Sequence, residues 1–208
     1  MGIPRRRKAR AAPFNVSIPI NSRLFDRKQV DLMTQKQVLV REATAEDRDA
    51  VRDVLLDAYG QYANTLSEER WEQYKENIVA AASAGATKNR LVAELDGRIV
   101  GSVFLFESSE QAYGYVGIHT PIIRLLAVSQ EARGHGVATQ LIRESAGIAL
   151  ASGAELLHLH TSDMMDSAVR LYERLGFERA KEFDVKNGET LVKSYRLRLR
   201  ESAILNAR

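Results

Sequence analysis

The sequence predicts one α/β domain built on a mixed central sheet, with elements in the order β-α-α-β-β-β-α-β-α-β-β. Three observations carry that prediction. Helix-like and strand-like periodicities alternate from residue 37 onward with no linker and no internal repeat. Asp96-Gly97 separates two apolar runs, a strong two-residue hairpin signal. An apolar run ending at Val128 leads through a glycine-rich turn into a helical pattern, the usual form of a strand-to-helix crossover.

The elements follow in order. Val38 to Arg41 reads as a short strand, and Thr44-Ala-Glu-Asp47 has the form of a capping box opening a helix. Val51, Val54, Leu55, Ala58 and Tyr59 then recur at helical spacing. Ser67 caps a second helix with Trp71, Tyr74 and Ile78 on one face and Gly85 near its end. Strands at 90–95 and 98–106 flank the Asp-Gly turn, a loop of Ser, Gly and Tyr covers 108–118, and 122–128 is apolar enough for a central strand. Residues 136–151 form a helix with Val137, Leu141, Ile142, Ala146 and Leu150 as its apolar members, ended by Gly153. A strand at 156–161 and a helix at 166–175 follow, with Gly176 as C-cap. Strands at 177–185 and 190–199 close the domain as a hairpin around Asn187-Gly188.

Composition narrows the function. The 208 residues are 45% hydrophobic and 27% charged, ordinary for a soluble globular chain. Cysteine is absent, which removes disulfides, Cys-bound zinc, iron–sulfur clusters and thiol nucleophiles. No run approaches the ~18 apolar residues of a membrane helix, so no membrane partner is expected. A chain without thiols is compatible with any redox compartment, and cytoplasmic is the expected location. The net charge of +3 hides an asymmetry: residues 1–36 hold nine Lys/Arg against two Asp, leaving 37–208 at −4. The chain is therefore divided into a basic, disordered leader at 1–36, a domain at 37–200 and a C-terminal tail at 201–208. A nucleic-acid role for the leader is the less favoured reading. Met33 stands just before the first strand and would serve as an internal start.

The chemistry concentrates in Leu125–Ala138, where a strand, a glycine-rich turn and a helix start succeed one another. Free N–H groups and the positive end of the helix dipole make such a turn an anion site. Gly134 and Gly136 allow close backbone approach, and Arg133 adds a formal charge. No Gly-Lys-Ser/Thr follows, so this is not a Walker A loop, and Thr139 stands where a dinucleotide fingerprint needs a third glycine.

Arg133-Gly-His-Gly136-Val-Ala138 matches the Arg/Gln-x-x-Gly-x-Gly/Ala signature of the GCN5-related N-acetyltransferases position for position. Ala168-Val-Arg-Leu-Tyr172-Glu-Arg-Leu-Gly176-Phe177 matches that family's second hallmark, a helix ending in Tyr-x-x-x-Gly-Phe. The sequence thus resembles this family over 38–200. The resemblance implies a mostly antiparallel sheet flanked by helices, acetyl-coenzyme A as donor, no metal, and a primary amine of a small molecule or peptide as acceptor. It implies main-chain contacts to the donor from Leu126, Ala127 and Val128, with the Leu126 N–H near the thioester oxygen. It places the pyrophosphate on Arg133, Gly134, His135, Gly136, Val137, Ala138 and Thr139, and it makes Tyr172 the acid that protonates the leaving thiolate.

Two departures stand out. Many members of the family carry a Glu six residues before the end of the central strand; counting back from Val128 lands on Ile122, which is no base. Thr120 shares its parity on the strand, and His119 is the nearest titratable group of suitable pKa. Where members often have an Asn that bonds the pantetheine arm, this chain has Met165. These departures motivate an alternative, an acetyl-coenzyme A-binding sensor with little or no transfer activity. His158 and His160, one strand face apart by two, read as packed histidines rather than metal ligands. Tyr59, Tyr62, Trp71, Tyr74, Tyr113 and Tyr115 are candidate walls for the acceptor. A two-fold dimer through the terminal hairpin is a further expectation.

Overall fold

A computed structural model of the chain describes residues 37–83, 89–115, 117–187 and 190–206. The leader, with its nucleic-acid reading, and Gly85 and Gly188 lie outside the described residues.

The first strand, β1 (Leu39–Glu42), leads into helix α1 (Arg48–Gly60). The entry is fixed by the predicted box: Asp47 accepts from the Thr44 N–H at 2.6 Å and from its hydroxyl at 3.1 Å. The same carboxylate accepts from Arg41 at 2.6 Å, and Arg41 also reaches Glu94. Arg41 holds the Asp47 carboxyl far below the usual carboxylate range. Val51 and Leu55, one turn apart on the inner face of α1, have no exposed surface. Each contributes about 1.5–3 kcal/mol of burial.

Helix α2 (Glu68–Ser83) crosses the same sheet face and buries Ile78 and Ala82. Strands β2 (Asn89–Leu95) and β3 (Arg98–Phe106) pair antiparallel around the Asp-Gly turn. Asp96 and Gly97 take φ of 53° and 74°, the two left-handed residues such a turn demands. The stretch expected to be a loop holds a short helix, α3 (Ser109–Tyr113). Ser108 accepts from the Gln111 N–H at its start, Ala112 is buried, and Gly114 ends it at φ 79°. One buried apolar residue leaves too little periodicity for the helix to stand out in sequence.

The central strand β4 (Ile122–Val128) runs into helix α4 (Val137–Ala151), then strand β5 (Leu156–Ser162) and helix α5 (Asp166–Arg174). The final strand is β8 (Thr190–Arg198), but the strand expected at 177–185 is broken into β6 (Glu178–Arg179) and β7 (Val185–Asn187). Between them a 3-10 turn at Lys181–Phe183 sets the Phe183 ring edge-on to His158, centroids 5.6 Å apart. The segment read as a tail carries a last helix, α6 (Ala203–Asn206), which buries Ile204 in the core.

The eight strands among the described residues form one sheet in the order β1-β2-β3-β4-β5-β8-β6, with β7 also on β8. Only β4 and β5 pair parallel among the described strands. The fold is the mixed, mostly antiparallel α/β sheet flanked by helices that the resemblance implied. One sheet face packs Val137, Leu141 and Ile142 of α4 against Val103, Leu105 and Ile123; the other packs Val51, Leu55 and Ile78 against Val92, Phe104 and Ile122.

The register of β4 against β3 slips between Ser102 and Phe104. Two residues, Leu125 and Leu126, therefore face Val103, and Leu125 takes φ of 53°. A β-bulge with a non-glycine residue in the left-handed region costs of order 1–3 kcal/mol and inverts the alternation of side chains. Ile122 consequently lies in the cluster on the α1 face, while Val128 packs on the α4 face. A simple count of parity along this strand therefore does not carry across Leu125.

Candidate active site

Strands β4 and β5 are neighbours only at their start, where Ile122 stands opposite His158 and Ile123 opposite Leu159. Beyond Ile123 they diverge. The Ser129 N–H donates to Val100 O on the β3 side at 2.8 Å. Alternation then turns the backbone groups of Ala127 toward β3, and those of Leu126 and Val128 toward the opening beside β5. The Leu126 carbonyl receives a long bond, 3.4 Å, from the Tyr59 hydroxyl.

The opening is the mouth of a cavity of about 620 Å³. Leu126, Ala127, Val128, Arg133 and Ala138 line it, as do Met165 and Tyr172 from the β5–α5 side. Where the cavity meets the glycine turn, Gly134 and Gly136 have φ of 82° and 77°, so the turn takes a form that β-branched residues resist. Gly136 is the N-cap of α4, whose first N–H groups lack intrahelical partners. Asp57 of α1 braces the turn: it accepts from the Gln130 N–H at 2.8 Å, and Gln61 accepts from Arg133 at 3.2 Å. His135 is exposed, its Nδ1 3.2 Å from Arg133 O. Val137 points its side chain into the core instead, and Thr139 lies along a separate depression lined by Arg143 and Arg174. Neither residue lines the large cavity.

Tyr172 is held by a helix terminus. Gly176 has φ of 90°, its N–H donates to Glu173 O, and the Phe177 N–H donates to Tyr172 O, both at 3.0 Å. These are the two bonds of a Schellman motif, and the Tyr172 and Phe177 rings pack with centroids 5.8 Å apart. The spacing Tyr-x-x-x-Gly-Phe is thus the spacing of a C-cap that pins Tyr172 against the sheet. Its ring is 7% exposed, and its hydroxyl makes no hydrogen bond to a described residue. Burial pushes the phenol well above its ordinary value, so it is protonated at neutral pH.

One end of the cavity is aromatic and cationic. Tyr59, Tyr62, Tyr74 and Tyr113 line it, while Trp71 and Tyr115 do not. Burial raises Tyr74 to about 12. Arg124 and His160 line the same end. The ring of His160 stands 5.2 Å from that of Tyr113, and its Nδ1 lies 3.0 Å from the Tyr115 hydroxyl. His158 is buried outside the cavity, 2.9 Å from Thr120 Oγ1. Among the described residues no group of three metal-ligating side chains exists. His119 is exposed and does not line the cavity, and Ile122 is fully buried. Sequence reasoning passed over Arg124; a single charge within an apolar central strand was the available signal.

The architecture and the motifs have counterparts in known proteins. The description of the acetyltransferase (GNAT) family matches residues 48–177. An acetyltransferase of Pectobacterium atrosepticum is 35% identical over 88 residues, 42% of this chain and 56% of that protein. N-acetyltransferase 8B of Homo sapiens is 30% identical over 125 residues, 55% of this chain and 52% of that protein. The chain spans about half the length of the curated relatives it matches. Among solved structures, the PaiA N-acetyltransferase of Thermoplasma acidophilum in complex with coenzyme A superposes with a TM-score of 0.59 at 16% identity, covering 77% of this chain and 99% of that one. A GNAT acetyltransferase of Bacillus cereus gives 0.56 at 15% identity, over 78% and 97%. At such identities the structural likeness speaks for the fold alone. No described helix is long and apolar enough to cross a membrane. With the family description covering more than half of its length, this chain belongs to the GNAT acetyltransferase family.

Proposed function

We propose that the protein transfers an acetyl group from acetyl-coenzyme A directly to a primary amine of a small molecule or peptide. The observation that carries this reading is the divergence of β4 from β5. It leaves the Leu126 and Val128 backbone facing one cavity that also holds Tyr172 and reaches the Arg133–Gly136 turn. The donor supplies an acetyl thioester. Arg133, the Gly134–Gly136 turn and the α4 N-terminus fit its diphosphate by charge and by free N–H groups. The main chain of Leu126 and Val128 fits an amide-bearing arm as an added strand would. As the amine nitrogen bonds to the acetyl carbon, negative charge builds on the carbonyl oxygen, and the Leu126 N–H stabilises it. The carbon–sulfur bond then breaks, and the Tyr172 hydroxyl gives its proton to the departing thiolate. The amine releases its own proton to water, and Tyr172 regains one from water, which closes the balance.

Calorimetry with acetyl-coenzyme A, followed by thiol release against a panel of amines, tests the reading. Binding with amine-dependent release supports it; absence of binding refutes the assignment of the turn. A second reading, a binding module without transfer, is favoured by one observation: among the described residues no carboxylate lines the cavity to act as base. Binding without release on any amine selects that reading.

A further inference from the structure

The charge of the cavity wall points to the kind of amine that enters it. Arg70, Arg124 and Arg133 line the cavity, and no described Asp or Glu does. Arg133 belongs to the phosphate turn, where a diphosphate would offset it. Arg70 is exposed on α2. Arg124 is different: it is half-buried, on the central strand, at the aromatic end.

Arg124 is also held in place. Its Nη1 donates to the Ala112 carbonyl at 2.6 Å, at the end of α3. Its guanidinium lies over the Tyr113 ring, 4.8 Å from the centroid. A guanidinium carries five N–H donors in a planar fork. The Ala112 carbonyl uses one; no other hydrogen bond and no carboxylate partner for Arg124 exists among the described residues. A partly desolvated cation without a counter-ion is costly unless a ligand supplies the opposite charge. A fork with free donors on a cavity wall is matched by a planar anion.

We infer that Arg124 binds a carboxylate carried by the acceptor itself, so that the substrate is an amino acid or an amino-acid-like amine rather than a simple amine or a polyamine. This rests on the reading of the site as an N-acetyltransferase. Arg124 precedes Leu126 by two residues, at most about 7 Å of chain and less where Leu125 bulges between them. An amine meeting the acetyl group at Leu126 and a carboxylate at the guanidinium therefore fit on one small molecule. A polycationic acceptor would instead bring like charge against Arg124 and Arg70 with no acid to receive it. The Tyr59, Tyr74 and Tyr113 rings give the body of such a molecule an apolar wall.

Matched pairs test this directly. Thiol release is measured with L-phenylalanine against 2-phenylethylamine, and with L-leucine against 3-methylbutylamine, with spermidine and O-phosphoethanolamine as further arms. One charge-assisted contact of this kind changes kcat/KM by about 10- to 100-fold. The expected result is a preference of that size for the amino acid in at least one pair. Arg124→Gln is expected to bring the ratio toward one by raising the amino-acid KM with little change in kcat, since the contact is made equally before and during transfer. Arg124→Lys, which keeps the charge but not the fork, is expected to recover part of the preference. Calorimetric binding of acetyl-coenzyme A by both variants shows that they are folded, and a variant that loses it is replaced as evidence by the wild-type ratios.

Release with equal or better use of the decarboxylated amines or spermidine overturns the inference and leaves the transferase reading standing. Preference for O-phosphoethanolamine overturns the choice of carboxylate. Donor binding with no release from any amine overturns the inference and the transferase reading together.

Discussion

Two histidines on β5, His158 buried and His160 half-buried, are held as neutral bases, and acid should unfold the domain through them. His158 is 2% exposed, with Phe183 edge-on to its ring; His160 is wedged beside Tyr113 and Tyr115. The Nε2 atom of each is buried without a hydrogen-bond partner among the described residues. Burial lowers both to about 4. Arg196 and His160 add to the effect on His158, Glu182 opposes it, and Asp184 opposes it for His160.

In the unfolded chain a histidine titrates near 6.5. Between pH 6.5 and 4 the unfolded state therefore binds more protons than the folded one, so stability falls as pH falls through that window and levels off below it. With these values each histidine removes about 2 kcal/mol between pH 7 and pH 5, about 4 kcal/mol for the pair. That is a large part of the roughly 5–15 kcal/mol that holds a domain together. The carboxylate of Asp47, depressed by Arg41, is lost only at lower pH and does not confound the window. Urea unfolding at pH 7 and pH 5 measures the loss, and His158→Gln and His160→Gln should each show about half of it. A wild-type loss under about 1 kcal/mol, or variants that parallel the wild type, would refute the reasoning.

Three further outcomes follow from the site and its supports. Tyr172→Phe should lower kcat by about 100-fold or more with acetyl-coenzyme A binding retained, as loss of a general acid does; unchanged turnover across the pH range would remove Tyr172 from the chemistry. Gly136→Val should raise the acetyl-coenzyme A KM by at least about 10-fold, because a β-branched residue resists φ of 77° and the turn must open; steady-state kinetics with an unaltered KM would contradict it. Gly101→Ala should destabilise the fold by about 1–3 kcal/mol in urea melts, since its Cβ would stand 2.7 Å from Val137 Cγ1 and 3.2 Å from Ala127 O. That contact is where β3 lets α4 lie close on the sheet, and a neutral substitution would mean the helix shifts freely.

What the sequence determined by itself is what short-range chemistry dictates. Asp96-Gly97 demands a tight hairpin, Thr44 and Asp47 start a helix, and Gly176 before Phe177 ends one. Each depends on a few adjacent residues and on φ values that few side chains tolerate. The glycine turn before α4 was legible for the same reason: Gly134 and Gly136 are needed within three residues. Helix α3 and the break between β6 and β7 were not, since one buried Ala112 and a Phe183 that packs on distant His158 leave no local period.

Only the tertiary structure decided the composition of the cavity. The bulge at Leu125 arises from register against β3, some twenty residues earlier in the chain, and it inverts the side-chain alternation on which a count along the strand relies. The divergence of β4 from β5, while β5 pairs with β8 over its whole length, leaves Leu126 on a cavity that Tyr172 also lines. Arg124 gains its place from Ala112 and Tyr113 on another element. Local sequence specifies turns, caps and faces because those are set by neighbouring dihedral angles. Which charges and which free backbone groups meet in one cavity is set by strand pairing across the sheet, and that information is spread over the whole chain.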